Sequence, residues 1–338
     1  MEHNEVLQDF IQSPAFRQAL GIRPDAVLSP ELLGNGEYNI NYRLCHPESG
    51  QWLVLRRNTG SQLHLDDQIG YEFEALRALA PSGRTPRPLY CDRERGMLVM
   101  EYLPGRALRY ETDLDDAAAI LADIHATPVP GDCPLLRPSC PAAAIYEECL
   151  AMAEQYLTWE GAEKGVCRLL EVLIAEIGRL PLKTAASAPA CMVNTEVNSG
   201  NFLINPGARS YLVDWEKPLL SEPAQDLGHF LVPTTTFWKT DVILKPEEIA
   251  AFTAAYGKAA AGRLDLRELP QRLPLFFTVT CLRGVSWCAM AMREYSQPGR
   301  ALCNADTFRK IQDYLREDFL ENILHNYVRK NFLEGLQL

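Results

Sequence analysis

Hydrophobic positions follow two different patterns in the two parts of the chain. Before about residue 103, short apolar runs alternate with polar positions and turn residues, which is typical of β-strands. From residue 114 onward, apolar residues recur every three or four positions, which is typical of amphipathic helices. We therefore predict an α+β fold, with a small antiparallel sheet and one helix followed by a larger, mainly helical region.

Within the first part, one predicted helix lies between the strands. Residues 68–80 carry apolar side chains at helical spacing, and Asp66 or Asp67 precedes them as a candidate N-cap. Residues 1–20 have the spacing of a helix or two, with a break before Pro14. The predicted strands are residues 40–44, 52–55, 89–91 and 97–102. The predicted helices of the second part include residues 114–125, 142–159 and 161–179.

A glycine-containing hairpin precedes the strand at residues 40–44. It comprises Gly34, Asn35 and Gly36, and Asn39 lies at its far end. A dinucleotide-binding loop or a P-loop would open a helix instead of a second strand, and no Gly-Lys-Ser/Thr is present. The remaining interpretations are an ordinary turn or the hairpin that covers nucleotide phosphates in kinase-like folds.

A cation stands where the next strand ends. Arg56 follows Leu53-Val54-Leu55, the place where kinases carry a lysine that meets the nucleotide phosphates. The planar guanidinium suits phosphate oxygens, although a solvated strand-end arginine is the alternative. Glu72 and Glu74 of the following helix are candidate partners for this cation.

A second hairpin gathers three polar side chains. Asn205-Pro206-Gly207 forms a predicted turn between two apolar runs, and Glu196, Asn201 and Asp214 cluster at the open end. The interval from Glu196 to Asn201 equals that from the catalytic acid to the metal-binding amide of a kinase loop. Phosphoryl transfer uses this set, because one acid orients a hydroxyl while the amide and second acid bind Mg²⁺. A hairpin with a solvated polar loop is the alternative.

In this order, the motifs resemble those of the aminoglycoside phosphotransferase and choline kinase family, which has a protein-kinase-like bilobal fold. The similar segments are Gly34-x-Gly36-x-x-Asn39-x-x-Tyr42-x-Leu44, Glu196-x₄-Asn201 with Asp214, and Glu222-Pro223-Ala224-Gln225-Asp226-Leu227. The resemblance implies an N-terminal helical extension at 1–24, a nucleotide-binding N-lobe at 25–103 and a C-lobe at 104–338 with the catalytic loop and substrate-binding helices.

The resemblance also implies a role for each candidate residue. ATP, or GTP in its place, would lie beneath Gly34, Asn35, Gly36 and Asn39, with its phosphates on Arg56. Because the family's paired acid lies seven residues before a core leucine, Glu72 is selected over Glu74 as the partner of Arg56. The backbone of four hinge residues would read the base: Met100, Glu101, Tyr102 and Leu103.

Within the catalytic loop, the resemblance makes Glu196 the catalytic acid that accepts the substrate hydroxyl. Asn201 and Asp214 would bind Mg²⁺, and Glu216 is a further candidate ligand. Asp226 would brace the loop through backbone hydrogen bonds. We interpret His125 as a packing residue.

This chain departs from the family in its catalytic loop. Members usually read His-Gly-Asp where this sequence reads Asn194-Thr195-Glu196. Glutamate is one methylene longer than aspartate, and a displacement of ~1 Å can cost on the order of a hundredfold in rate. Two hypotheses follow: an active kinase that phosphorylates a small molecule such as an amino alcohol, sugar or aminoglycoside, or a catalytically weak or silent relative that acts by binding nucleotide or protein.

Composition narrows the partners. The 338 residues carry a net charge of −11 and no Lys/Arg-rich run, which argues against nucleic acid and suits a cationic small substrate. We find no window of ~18 uncharged apolar residues and therefore expect no membrane span. The acidic N-terminus lacks a signal-peptide pattern, so we expect a cytoplasmic protein. The sequence leaves the acceptor and the oligomeric state open.

Overall fold

The structure is a computed structural model that describes residues 2–36, 38–185, 187–297 and 305–330, with side chains from residue 5 onward. Its described residues form two units. The first unit draws on Met1–Ala107, Thr127–Leu136 and Phe202–Pro218, and the second on Leu108–Ala126, Arg137–Asn201 and Leu219–Leu338. The division predicted at residue 103 stays a prediction, and residues 298–304 and 331–338 of the predicted C-lobe lie outside the described residues.

A five-stranded antiparallel sheet forms the centre of the first unit. The strand order is β1-β2-β3-β5-β4. The strands are β1 Glu31–Asn35, β2 Asn39–Cys45, β3 Trp52–Asn58, β4 Pro88–Asp92 and β5 Met97–Glu101. The predicted glycine hairpin joins β1 to β2, where Asn35 pairs with Ile40. Each predicted strand is therefore present, and the sheet part of the α+β prediction is confirmed.

The helix α3, Gln68–Leu79, follows β3 and supplies one side chain to the site. Asp67 caps its N-terminus, because the carboxylate accepts a hydrogen bond of 2.8 Å from the backbone N–H of Gly70. Ile69, Glu72 and Leu76 are all buried, and their spacing of three and four residues places them on one face of the helix. The predicted helix and its cap are confirmed.

Two N-terminal helices, α1 Glu2–Gln12 and α2 Pro14–Leu20, complete the core beside the sheet. Phe10 and Phe16 share one buried cluster with Leu55 of β3 and Val99 of β5. The apolar spacing of residues 1–20 therefore reflects burial against the sheet, and the predicted break before Pro14 is the N-cap Ser13.

A buried arginine fixes the chain that leaves α2. The Arg17 guanidinium donates to the carbonyls of Ile11, Arg23, Pro24 and Ala26 at 2.6–3.1 Å. Ile11 is buried in the last turn of α1, whereas the other three carbonyls follow α2, and that of Arg23 also accepts from the Ala26 N–H at 3.2 Å. The cation therefore joins the end of α1 to the segment after α2, and it satisfies the buried Ile11 carbonyl.

The second unit is mainly helical, and its longest helix is its centre. The helices are α4 Leu114–His125, α5 Pro141–Leu157, α6 Lys164–Ile177, α7 Pro223–Leu231, α8 Pro233–Lys239, α9 Pro246–Ala260, α10 Leu269–Tyr295, α11 Ala305–Tyr314 and α12 Glu317–Asn322, with a π-helical turn at Ile323–Arg329. Helix α10 packs against α5 and α7, and α4 packs against α9. A short antiparallel pair joins β6 Cys191–Val193, which precedes the predicted catalytic loop, to β9 Leu219–Ser221, which precedes α7. The helical part of the prediction is confirmed.

Helix α10 bears on the expectation of no membrane span. Among the described residues, it is the one helix long and apolar enough to span a membrane by length and composition. Arg283 interrupts this window, so it holds no run of ~18 uncharged apolar residues. Since 72% of the window is buried inside the protein and core helices pass the same test, the observation is weak evidence for a membrane span.

We expect Arg17→Met to destabilise the protein by about 3 kcal/mol, because the buried Ile11 carbonyl left without this donor costs ~1–3 kcal/mol and the part-buried bonds to the other carbonyls are lost as well. Thermal unfolding followed by circular dichroism measures the change. The matched control is Arg23→Met, whose side chain is 71% exposed, and it should shift stability by less than ~0.5 kcal/mol. Equal stability of the two variants would show that the Arg17 contacts do not support the fold.

Candidate active site

Arg56 is held inside the first unit by partners from three separate segments. In the β2–β3 register it lies opposite Asn41, whose side-chain oxygen accepts a bond of 3.0 Å from Nε. Nη1 donates to Glu72 of α3 at 2.7 Å and to Asp214 at 3.1 Å. The predicted choice of Glu72 as the partner is confirmed, whereas Glu74 pairs with the exposed Arg77.

Burial and charge act in opposite directions on this pair. Desolvation lowers the pKa of Arg56, but the carboxylates of Glu72, Asp214 and Glu216 outweigh it, and the pKa is raised overall. For Glu72, burial raises the pKa of the carboxyl despite the opposing charge of Arg56. The Oε2 atom of Glu72 is buried and makes no hydrogen bond to any described residue. Glu72 therefore serves Arg56 through a single oxygen.

The second predicted hairpin positions Asp214. It consists of β7 Phe202–Leu203 and β8 Tyr211–Leu212, and Gly207 supplies a φ of +77° in the turn. Asp214 follows β8 with a φ of +64°, a left-handed backbone that aspartate tolerates better than most residues. In this conformation the Asp214 carboxylate faces Arg56. The acid predicted at the end of this strand and the cation predicted at the end of β3 therefore form an ion pair.

Glu216 connects the same segment to the glycine hairpin. Its carboxylate accepts a hydrogen bond from the side-chain amide of Asn39, whose own oxygen accepts one of 3.1 Å from Asn58. A carboxylate oxygen of Glu216 lies within 4.8 Å of one of Asp214. The first unit thus presents two neighbouring hard oxygen donors, which is the ligand type that Mg²⁺ prefers.

The hinge residues differ in what their backbones offer. Met100 pairs within the sheet. The Glu101 N–H donates to Arg87 at 3.0 Å, and the Tyr102 N–H donates to Trp52 at 3.1 Å. Among the described residues, no backbone group accepts from the Leu103 N–H. Gly34, Asn35 and Gly36 form the exposed hairpin. The base-reading and phosphate-covering roles stay predictions.

In the second unit, one buried carboxylate braces the catalytic loop. Asp226, near the start of α7, has no exposed surface. It accepts hydrogen bonds from the backbone N–H of Asn194 at 2.7 Å and of Thr195 at 2.8 Å. The buried His125 ring lies between two groups: its Nε2 is 3.3 Å from the same carboxylate, and its Nδ1 is 2.9 Å from the Tyr256 hydroxyl. The bracing role of Asp226 and the packing role of His125 are confirmed.

Glu196 and Asn201 are oriented by the loop itself. The Asn194 side-chain oxygen accepts from the Glu196 N–H at 3.0 Å, in the position where the family has a histidine. The Asn201 side-chain nitrogen donates to the Glu196 carbonyl at 2.8 Å. Because a carbonyl can only accept, the Asn201 amide nitrogen must face the Glu196 carbonyl. The Asn201 amide oxygen then points away from that carbonyl and is available as a metal ligand. The donor chemistry of Asn201 and Asp214 therefore fits Mg²⁺.

Thr195 adopts a backbone conformation that suits glycine. Its φ is +70°, and a β-branched residue at positive φ is an outlier. The family's glycine at this position has no such cost. The hydrogen bonds from the Asn194 and Thr195 N–H groups to Asp226 keep the loop in this conformation despite the local strain.

Sequence reasoning missed Arg283 of α10. Glu196 is among the carboxylates whose charge acts on its guanidinium, and Glu148 of α5 pairs with it at 3.1 Å. A signal was present, because Arg283 is the single charged residue between positions 273 and 291. A single charged residue in an apolar helix indicates an ion-pair partner or a functional role.

The architecture and these sites define a protein-kinase-like fold. A choline/ethanolamine kinase family protein from Mesorhizobium loti is similar over 99% of this chain and 99% of its own, with a TM-score of 0.62 and 17% identity. The choline kinase LicA from Streptococcus pneumoniae covers 96% of this chain and 100% of its own, with a TM-score of 0.61 and 16% identity. The predicted fold class is confirmed.

A further structural likeness and a match to a family model identify the family of this chain. A spectinomycin phosphotransferase in complex with ADP and spectinomycin is also similar, covering 88% of this chain and 92% of its own, with a TM-score of 0.57 and 15% identity. No curated protein sequence matches significantly. The model of the phosphotransferase enzyme family matches residues 30–269, and the chain belongs to this family. The resemblance stated from the motifs is confirmed.

The backbone strain at Thr195 predicts opposite glycine effects at two positions. We expect Thr195→Gly to be about 1 kcal/mol more stable than Thr195→Ala, because left-handed φ costs alanine more than chain entropy costs glycine. At the exposed Thr158, where φ is −92°, glycine should instead be ~0.5–1 kcal/mol less stable than alanine. Thermal unfolding of the four variants measures both differences, and equal signs would contradict the strain at Thr195.

Proposed function

We propose that this protein is an ATP-dependent phosphotransferase that moves the γ-phosphate to a hydroxyl of a small molecule. The observation that carries the proposal is the group of Arg56, Glu72 and Asp214. These residues lie on three separate segments, and the first unit brings them within hydrogen-bond distance. A buried cation flanked by a helix acid and a strand-terminal acid is the phosphate-holding arrangement of kinases.

Each proposed role has a structural support. Arg56 binds phosphate oxygens and Glu72 keeps its guanidinium in place, since both side chains are buried. Leu103 contributes the base-reading N–H, because those of Glu101 and Tyr102 are already engaged. The Gly34–Asn39 hairpin covers the phosphates, and GTP in place of ATP remains a second donor.

Asp214 and Asn201 are the proposed ligands of Mg²⁺, and Glu216 is a third, because all three carry the hard oxygen donors described above. When bound, Mg²⁺ would neutralise charge that develops on the phosphate oxygens. Glu196 accepts a hydrogen bond from the acceptor hydroxyl and takes its proton late in the transfer. The loop frame set by Asp226 holds Glu196 for this task.

The acceptor is proposed from the relatives. Their names include choline, ethanolamine and spectinomycin, which are small molecules with hydroxyl groups. We therefore propose an amino alcohol, a sugar or an aminoglycoside-like compound. A silent, nucleotide-binding role is the second candidate, because Glu196 stands where the family has aspartate.

Replacing Glu196 tests the reaction. We expect Glu196→Gln to lower ATP-dependent phosphorylation of the best acceptor by ~10²–10⁴-fold, the usual contribution of a positioned acid–base group, while ATP affinity changes little. Release of ADP with a panel of amino alcohols, sugars and aminoglycosides measures turnover, and calorimetry measures ATP binding. Glu171→Gln, on the exposed face of α6, is the matched control and should retain activity.

Two outcomes at this position would favour the silent role. The first is that the wild-type protein turns over no acceptor in the panel. The second is that Glu196→Asp, which restores the family's residue, creates phosphoryl transfer that the wild-type protein lacks.

Replacing Glu72 tests the nucleotide site separately. We expect Glu72→Gln to weaken ATP binding ~10–100-fold, since a charge-assisted hydrogen bond is worth about 1.5–3 kcal/mol and 1.4 kcal/mol is tenfold. Glu74→Gln lies on the same helix but pairs with exposed arginines, so it should bind ATP within about twofold of the wild type. Calorimetric titration measures both, and equal weakening would remove Glu72 from the site.

A further inference from the structure

Gln68 is a buried polar side chain at the first position of α3. It is 5% exposed, whereas glutamine is mostly found at protein surfaces, because a buried amide must keep hydrogen-bond partners. Its Nε2 donates a hydrogen bond of 2.6 Å to the backbone carbonyl of Glu216, and its Oε1 accepts one of 2.5 Å from the Ser61 hydroxyl. One amide therefore joins the loop before α3 to the segment that follows Asp214.

The direction of each hydrogen bond around this amide is fixed by chemistry. A backbone carbonyl can only accept, so the Gln68 amide nitrogen must face Glu216 and the amide oxygen must face Ser61. The Ser61 hydroxyl donates to that oxygen, and its own oxygen accepts from the Leu65 N–H at 3.0 Å. The Gln68 amide thus has one orientation, and in that orientation it binds the Glu216 backbone.

Glu216 is held by hydrogen bonds at both its backbone and its side chain. Gln68 binds the carbonyl, and the side-chain amide of Asn39 donates to the carboxylate. Asn39 is itself oriented, because Asn58 donates to its side-chain oxygen at 3.1 Å. Between these contacts the Glu216 carboxylate lies within 4.8 Å of that of Asp214. The backbone contact fixes the point from which the Glu216 side chain reaches this place.

We propose that Gln68 is a positioning residue for Glu216 as a metal ligand. The inference rests on the proposed function, in which Asp214 and Glu216 bind Mg²⁺, and it adds the residue that keeps the second carboxylate in place. Groups that hold metal ligands by hydrogen bonds affect metal affinity strongly, and their loss typically lowers it ~10–100-fold. Gln68 lies four residues before Glu72, so one face of α3 carries both the residue that holds Glu216 and the partner of Arg56.

Mn²⁺ binding tests the proposal without any turnover. The full-length protein is titrated with Mn²⁺, with and without a non-hydrolysable ATP analogue, and electron paramagnetic resonance measures the free ion. We expect Gln68→Met, which has a similar length but no amide, to raise the dissociation constant of Mn²⁺ ~10–100-fold. Ser61→Ala removes the hydroxyl that orients the amide and should raise the constant ~2–5-fold. It serves as the second variant if Gln68→Met folds poorly.

Tyr71 provides the matched control, because it is a second buried side chain of α3 that binds a carbonyl of the same segment. Its hydroxyl donates to the Pro218 carbonyl at 2.6 Å and accepts from the Leu136 N–H at 3.1 Å. Tyr71→Phe should therefore lower the thermal unfolding temperature but leave Mn²⁺ binding unchanged. If Gln68 only attached α3 to this segment, Tyr71→Phe would weaken Mn²⁺ binding as much as Gln68→Met does.

A double-mutant cycle tests whether Gln68 acts through Glu216. Glu216→Gln should itself weaken Mn²⁺ binding, because it removes an anionic oxygen from the proposed site. In that background, Gln68→Met should add little to the loss, since residues that act through one group are not additive. Fully additive losses would show that Gln68 does not act through the Glu216 carboxylate.

The outcomes distinguish this inference from the function on which it rests. Weaker Mn²⁺ binding by Gln68→Met in a protein that releases no ADP with any acceptor would support the positioning role and reject the phosphotransferase. Turnover in which Gln68→Met alters neither Mn²⁺ binding nor the Mg²⁺ dependence of the rate would reject the positioning role alone. A wild-type protein that binds no Mn²⁺ under either condition would overturn both the metal site and the role of Gln68.

Discussion

The neutralisation of one buried guanidinium constrains the whole first unit. Arg56 points into the protein from β3, where an unpaired charge would cost several kcal/mol. The carboxylates of Glu72 on α3 and Asp214 after β8 compensate its positive charge, and both are distant from Arg56 in sequence. The sheet, the helix and the second hairpin must therefore adopt one arrangement together. Because the same guanidinium is our proposed phosphate ligand, the requirement for charge balance also builds the nucleotide site.

Asp226 has the corresponding role in the second unit, but it acts on backbone instead of charge. Its carboxylate accepts two consecutive N–H groups of the catalytic loop, which would otherwise be buried without partners. His125 approaches the carboxylate through Nε2, and the Tyr256 hydroxyl meets the other ring nitrogen of His125. Local hydrogen bonds within the loop then orient Asn201 relative to the Glu196 carbonyl.

The elements could be predicted from the sequence because periodicity and turn residues are local signals, and the resemblance to the family, whose paired acid precedes a core leucine by seven residues, selected Glu72 over Glu74. It could not reach the Asn39–Glu216 contact, since that bond depends on how the hairpin closes on a distant segment. It also passed over Arg283, because an isolated arginine gives no pattern until α10 is placed beside Glu148 and the catalytic loop. Tertiary contacts between single side chains are thus where the sequence is least informative.

The three substitutions in the catalytic loop are compatible with the family frame for one physical reason. Asp226 binds N–H groups, which every residue but proline possesses, so the identities of Asn194 and Thr195 do not alter that anchor. Asn194 then satisfies the N–H of Glu196 with its own side chain, and Thr195 accepts a positive φ within the anchored segment. A loop fixed through its backbone can change all three leading side chains. What such changes alter is the position of the carboxylate at 196, and hence the acceptor hydroxyl that it could meet in the function we propose.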